Sequence, residues 1–187
     1  MKKTALALAA MMVLLGGRGL ASDRQGTFEI IYGRYTVNDA RFAKIYASSG
    51  SIEGLALTAA LFFHLDFYLE AKVFSQAGQL TYTKEQTKFV LVPFSFGIRW
   101  GVPLGILEPF IGAGLDYYVY YESNVIGTAV DYAQGEHVMG GLRLNFGKDI
   151  PLSLSGRVKY TSLKATRGGF TVDLGGVEIS GGLAFVF

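Results

Sequence analysis

Val177-Glu178-Ile179-Ser180-Gly181-Gly182-Leu183-Ala184-Phe185-Val186-Phe187 closes the sequence and alternates without a break. Successive side chains of a strand point to opposite sides. Val177, Ile179, Gly181, Leu183, Phe185 and Phe187 therefore share one face, and Glu178, Ser180, Gly182, Ala184 and Val186 share the other. No helical spacing fits this run. The same period of two recurs upstream, in segments of about ten residues rich in Val, Ile, Leu, Tyr and Phe and separated by turn residues.

Leu152, Leu154, Gly156, Val158 and Tyr160 alternate with Ser153, Ser155, Arg157, Lys159 and Thr161. Val138, Gly140, Leu142, Leu144 and Phe146 oppose Met139, Gly141, Arg143 and Asn145. Ile111, Ala113, Leu115, Tyr117, Val119 and Tyr121 oppose Gly112, Gly114, Asp116, Tyr118, Tyr120 and Glu122. Val90–Trp100, Leu69–Val73, Leu55–Phe63 and Phe28–Tyr32 supply four greasier segments, which brings the expectation to eight strands. The connections run long, short, long, short, long, short, long. The long ones are Thr36–Ser51, Gly78–Thr87, Ser123–Glu136 and Ser162–Gly175; the short ones are His64–Asp66, Gly101–Glu108 and Gly147–Pro151. Tight turns at one end and long loops at the other describe an all-β, antiparallel up-and-down barrel, because Greek-key sandwiches have no reason to segregate loop lengths.

Half of the 187 residues are apolar and only 17% are charged, against about 25% in ordinary soluble domains. The absence of Cys excludes disulfides and thiolate metal sites. Lys2 and Lys3, the apolar run Thr4–Leu15 and the small residues Gly16–Ser22 have the layout of a secretory signal peptide, with a cut expected after Ala21. That run is too short to span a bilayer as a helix, which takes about 20 residues. The expected division is thus a leader over 1–21 and a barrel over 22–187. Three of the 17 basic side chains (Lys2, Lys3, Arg18) precede the cut, leaving 14 against 15 acidic, so a nucleic-acid partner loses its electrostatic footprint.

Charge decides which face meets lipid. Glu29, Glu70, Asp116, Glu122 and Glu178 fall on the same faces as Lys72, Arg99, Arg143, Arg157 and Lys159, among Ser, Gly, Thr and Asn. Buried ions are tolerated only when paired and hydrogen-bonded, and equal numbers of both signs permit that pairing inside a closed tube. The opposite face carries almost no charge, as a hydrocarbon layer demands. Tyr32, Trp100, Tyr117, Tyr121, Tyr160 and Phe187 lie toward the strand ends, where interfacial aromatic girdles belong. The polarity is inverted relative to a soluble lipocalin-like barrel, and a transmembrane barrel is expected. Eight strands leave an interior that side chains can just fill, which argues against a general diffusion porin.

The terminal strand ending in Phe187, the segment Pro109-Phe110-Ile111-Gly112-Ala113-Gly114-Leu115-Asp116-Tyr117-Tyr118 and the eight-strand spacing resemble the small outer-membrane β-barrel superfamily. That group holds opacity-type, OmpX-like and OmpW-like proteins and the barrel half of OmpA. The resemblance covers residues 27–187 and is specific to fold rather than to function. It implies a Gram-negative outer membrane and insertion by the barrel assembly machinery, which would read the terminal aromatic strand through Phe185 and Phe187. It also implies periplasmic termini and turns, four extracellular loops, and no appended peptidoglycan-binding domain.

Catalysis finds little support. Some barrels of this membrane modify lipid and need a nucleophile with an activating base. His64 sits in a turn between Phe63 and Leu65. His137, expected at the outer end of the sixth strand, is the better base, but Met139 stands where the lipid A deacylases carry Ser. A triad of His137 with Ser123 and Asp131 stays open; no Gly-x-Ser-x-Gly elbow and no metal-ligand spacing appears. The expectation is a non-enzyme with no cofactor and no metal.

Function then falls to the loops, where binding residues concentrate. Arg41, Lys44, Lys84, Lys88, Lys164 and Arg167 are candidates for contact with lipopolysaccharide phosphates, beside ordinary solvated charge. Envelope integrity or adhesion to a host or surface ligand leads. A narrow path for small or apolar solutes, and a lipid-modifying enzyme centred on His137, are the alternatives.

Overall fold

A computed structural model describes residues 26–80, 84–125, 127–146, 150–167 and 169–187; the expected leader, its expected cut after Ala21 and most of the expected turn at 147–151 lie outside them. Nine strands and one short helix follow in order: β1 (Gly26–Val37), α1 (Phe42–Ile45), β2 (Ser49–Ala60), β3 (Leu65–Gln79), β4 (Gln86–Gly101), β5 (Leu107–Asn124), β6 (Gly127–Asn145), β7 (Leu152–Arg167), β8 (Phe170–Asp173) and β9 (Gly176–Val186). Each strand from β1 to β7 pairs antiparallel with the next, and β9 pairs with both β7 and β1. Eight strands thus close an up-and-down barrel, while β8 pairs only with the end of β7. At the seam the Gly26 amide donates to the Phe187 carbonyl at 2.8 Å and the Phe187 amide donates back at 3.1 Å. Among the described residues every barrel strand is paired on both sides, which is what lets strands cross hydrocarbon.

The two faces differ as the alternation requires. Arg143 and Lys72 are 1% exposed, whereas Tyr32 and Ile111 on the outer wall are 65% and 62% exposed. On β4 the outward residues Phe94, Phe96, Ile98 and Trp100 form part of an apolar belt. Val92 to Trp100 rises about 20 Å along a barrel axis for strands tilted by about 40°, which fills most of the roughly 25 Å band such barrels present to lipid.

The connections differ from expectation at one end. Ser123–Glu136 is not a loop: β5 runs to Asn124, β6 begins at Gly127, and Asn124 pairs with Gly127. Much of Ser162–Gly175 is likewise strand, in β7 and β8. These stretches lack a repeating apolar face, yet a two-stranded ribbon needs only its backbone ladder and the right turn. Gly169 supplies that turn with φ +82°, a conformation in which a Cβ is costly. The end bearing these hairpins and α1 is here the loop end. The opposite turn end holds His64, whose φ of 63° marks a tight turn and whose carbonyl accepts the Gly101 amide at 3.1 Å.

Candidate functional site

The lumen is the first candidate, and it is filled in three layers. At the turn end Arg99 Nη2 donates to Asp66 Oδ2 at 2.7 Å, and its guanidinium lies 5.0 Å from the centroid of the Phe110 ring. Beside it Arg143 Nη1 meets Glu108 Oε1 at 3.4 Å, and Asn145 donates to the same carboxylate at 3.0 Å. Both ion pairs join register partners on adjacent strands.

The middle layer crosses the tube. Glu70 on β3 accepts Arg157 Nη1 from β7 at 2.5 Å and lies 2.7 Å from Lys72 Nζ and 3.6 Å from Lys159 Nζ. Lys72 also donates to Glu178 on β9 at 2.8 and 2.9 Å, and the Ser180 hydroxyl donates to Glu178 at 2.7 Å. Glu29 on β1 lies 3.3 Å from Arg157 and takes a hydrogen bond from Ser155. Space for that carboxylate comes from Gly182, where a Cβ would stand 2.0 Å from Glu29 Oε1. Lys159 reaches Ser95 at 2.6 Å and Asp116 at 2.9 Å, and Thr161 donates to Asp116 at 2.9 Å. His137 Nδ1 lies 3.0 Å from Asp116, and its Nε2 meets the Tyr68 hydroxyl. Desolvation costs several kcal/mol per ion, and Glu70 offsets part of it by meeting Lys72, Arg157 and Lys159 together.

The third layer is apolar. Tyr35, Ile52, Phe74, Leu91, Leu163 and Leu174 pack inside the loop-end half, with Tyr35 edge-on to Phe74 at 5.5 Å. Helix α1 covers it. Phe42 packs against Phe89 at 5.0 Å and Tyr46 at 4.8 Å. Tyr46 bridges to Gly78, where a Cβ would stand 2.2 Å from the Ile45 carbonyl, so the glycine is what lets the lid cross β3. The Tyr46 hydroxyl lies 3.0 Å from Thr87 Oγ1, and burial pushes the phenol's pKa up. Asp39 fastens the lid. Its Oδ1 accepts the Arg41 amide at 2.7 Å, while Oδ2 accepts Arg41 Nη2 at 2.8 Å and the Asp173 amide at the end of β8 at 3.1 Å. The Arg41 hydrogen bonds hold this carboxyl well below the usual carboxylate range.

The structure brings nine of the ten sequence-proposed interior charges into buried ion pairs. Glu122 stands apart: it is half-buried near the loop end and accepts a hydrogen bond from Thr87 at 3.3 Å. His137 is not at the outer end of its strand but in the middle layer, with its side chain fully buried. Ser123 and Asp131 lie far up the β5–β6 hairpin, opposite Thr128 and Tyr120, so no triad with His137 forms. Asp66 and Glu108 were missed, although they share the parity of Glu70 and Asp116. Arg41 is committed to Asp39; Lys44, Lys84, Lys88 and Lys164 are exposed on different connections and strands. Arg167 ends β7. Phe185 and Phe187 face outward.

No protein-family model and no curated protein matches the sequence. Solved structures do. The Neisserial surface protein A is 11% identical, with a TM-score of 0.66 over 87% of this chain and 97% of that one. OprG of Pseudomonas aeruginosa is 13% identical, with a TM-score of 0.66 over 88% and 97%. Outer membrane protein W of E. coli is 14% identical, with a TM-score of 0.55 over 89% and 100%. At these identities the likeness is one of fold, and together with the inverted polarity it identifies the chain as a transmembrane β-barrel with the architecture of the small eight-stranded outer-membrane proteins.

Proposed function

We propose that the protein is a non-enzymatic component of a Gram-negative outer membrane, exported by a cleaved leader, which presents its loop end outside the cell. It serves envelope integrity or adhesion there. The observation that carries this reading is the filled lumen: ion pairs occupy its turn-end half and an apolar plug beneath α1 occupies the rest. Among the described residues a tube so filled favours no wide aqueous path, which directs attention to the loop end as its working surface. Among the described residues His137, 3.0 Å from Asp116, is fully buried beneath that plug, which supports a structural role for it. Exposed Lys44, Lys84, Lys88 and Lys164 supply charge for lipopolysaccharide or a surface ligand, and Phe185 and Phe187 supply the assembly signal.

Planar-bilayer recording tests the reading. Purified protein is expected to give no ion conductance, and deletion of the β5–β6 hairpin tip to lower cell binding with the barrel intact. Steady single-channel currents from the wild type would overturn it.

The apolar lining of the loop-end half favours a second reading, in which α1 lifts and admits a small apolar solute. Uptake of such a solute into liposomes, faster when the Asp39 clasp is removed, is the result that distinguishes it.

A further inference from the structure

We propose that Arg34 and the crevice beside it bind the phosphate of an outer-leaflet phosphoglycolipid of the lipid A type. This rests on the reading that the loop end faces outside, because that lipid occupies the outer leaflet.

Arg34 shares the outer parity of β1 with Phe28, Ile30 and Tyr32, and it stands on the wall that meets lipid. The buried strand cations facing the lumen all meet carboxylates; Arg34 meets a hydroxyl. Its Nε and Nη2 donate to Ser49 Oγ at 2.9 and 2.7 Å, and among the described residues no carboxylate lies within ion-pair distance of it. The serine holds one edge of the guanidinium and leaves the Nη1 side of the fork for a ligand. A planar fork of this kind matches phosphate bidentately.

Position selects a lipid. Arg34 lies two outward residues beyond Ile30, about 10 Å along the barrel axis by strand rise and tilt, where the β1–β2 wall turns polar. Its neighbours are Ser51 on β2 and Ile179 on β9. The crevice is lined by Tyr32, Gly33, Arg34, Gly50, Ser51 and Ile179. Glu53, opposite Tyr32, repels an anion from the β2 side. The β9 side carries only Val177, Ile179 and Gly181, and at Gly181 a Cβ would find nothing closer than the Ser155 carbonyl at 3.4 Å. A phosphate on Arg34 with an acyl chain descending past Ile179 and Gly181 satisfies both walls.

The test is native mass spectrometry of the full detergent-purified barrel titrated with lipid A. Arg34→Gln is expected to weaken lipid A retention about tenfold, the loss of one charge-assisted contact. Dephosphorylated lipid A is expected to bind the wild type as weakly. Wild-type retention by Arg34→Gln would overturn the proposal, as would equal binding of phosphatidylglycerol, or displacement of lipid A by excess inorganic phosphate. Heat-modifiable migration on a gel reports folding of each variant. Should Arg34→Gln fail to assemble, Arg34→Lys keeps the cation without the fork; intermediate retention supports the site, and unchanged retention removes it. Loss of cell binding on hairpin deletion is read separately, so failure of the adhesion reading leaves this assay intact.

Discussion

Glu70 on β3 and Arg157 on β7 meet at 2.5 Å although their strands stand four places apart in a ring of eight, on opposite walls. The pair therefore ties the barrel across its diameter. Lys72 and Glu178 cross three places in the same layer. Pairs such as Asp66–Arg99 join neighbours that the backbone ladder already holds.

Breaking the diametric pair from the acidic side leaves Arg157, Lys72 and Lys159 short of counter-charge. Glu70→Gln is expected to destabilise the barrel by about 3–5 kcal/mol, the usual cost of orphaning a buried ion. Adding Arg157→Met should recover part of that. Urea unfolding in detergent, followed by the fluorescence of Trp100, measures both. Equal stability of Glu70→Gln and wild type would refute the layered account.

The lid should be separable from the barrel. Asp39→Ala removes the acceptor shared by the Arg41 and Asp173 amides and is expected to speed tryptic cleavage after Arg41 or Lys44 by about tenfold, from a loss of about 1–2 kcal/mol of local order. Migration of the folded barrel on a gel should not change. An unaltered cleavage rate would mean the clasp does not hold α1.

Gly78→Val reaches the same lid from beneath. Its side chain would occupy space that the Ile45 carbonyl fills, so α1 is expected to undock with the strands intact. Cleavage at Lys44 should rise as in Asp39→Ala, and the double variant should add little because both act on one docking event.

Acid should release the clasp late. The Asp39 carboxyl is depressed by Arg41, so its contribution is complete above the unfolded value of about 3.9 and declines as the pH falls from there through the folded value. Hydrogen exchange at the Arg41 and Phe42 amides, corrected for intrinsic rates, is expected to show equal protection at neutral and mildly acidic pH and a loss only toward strong acid. Loss of protection at mildly acidic pH would assign the clasp to another group.

On the outer wall, Phe96→Arg places a charge in the apolar belt and is expected to cost about 2–4 kcal/mol. The same change at Lys88, at the loop end, should cost nothing measurable. The folded fraction after refolding into liposomes reports the difference.

Parity alone placed Glu70, Lys72, Asp116, Arg157, Lys159 and Glu178 on one face, and a closed barrel follows from asking which solvent that face meets. Which acid meets which base was not legible, because it depends on the stagger that sets Glu70 level with Arg157 across the lumen. Asp66 and Glu108 escaped notice because they fall beside turn residues. The apolar upper layer was hidden for another reason: Tyr35, Ile52, Phe74 and Leu91 have the inward parity, but greasy residues on both faces of a segment erase the contrast. The β5–β6 hairpin read as loop because a ribbon in water needs no apolar face. Arg34 gave no signal in the sequence, because its pairing with Ser49 rather than with a carboxylate among the described residues is set by the β1–β2 register.

The seam between Gly26 and Phe187 has a consequence for biogenesis. Every other junction in the ring joins segments near in sequence, but this one joins the two extremes of the described chain. The circle stays incomplete until β9 pairs with β1, and until then both edge strands carry bare amides and carbonyls that neither water-free lipid nor a neighbouring chain should be allowed to meet. Sealing the ring is therefore a single late act, made when β9 meets β1.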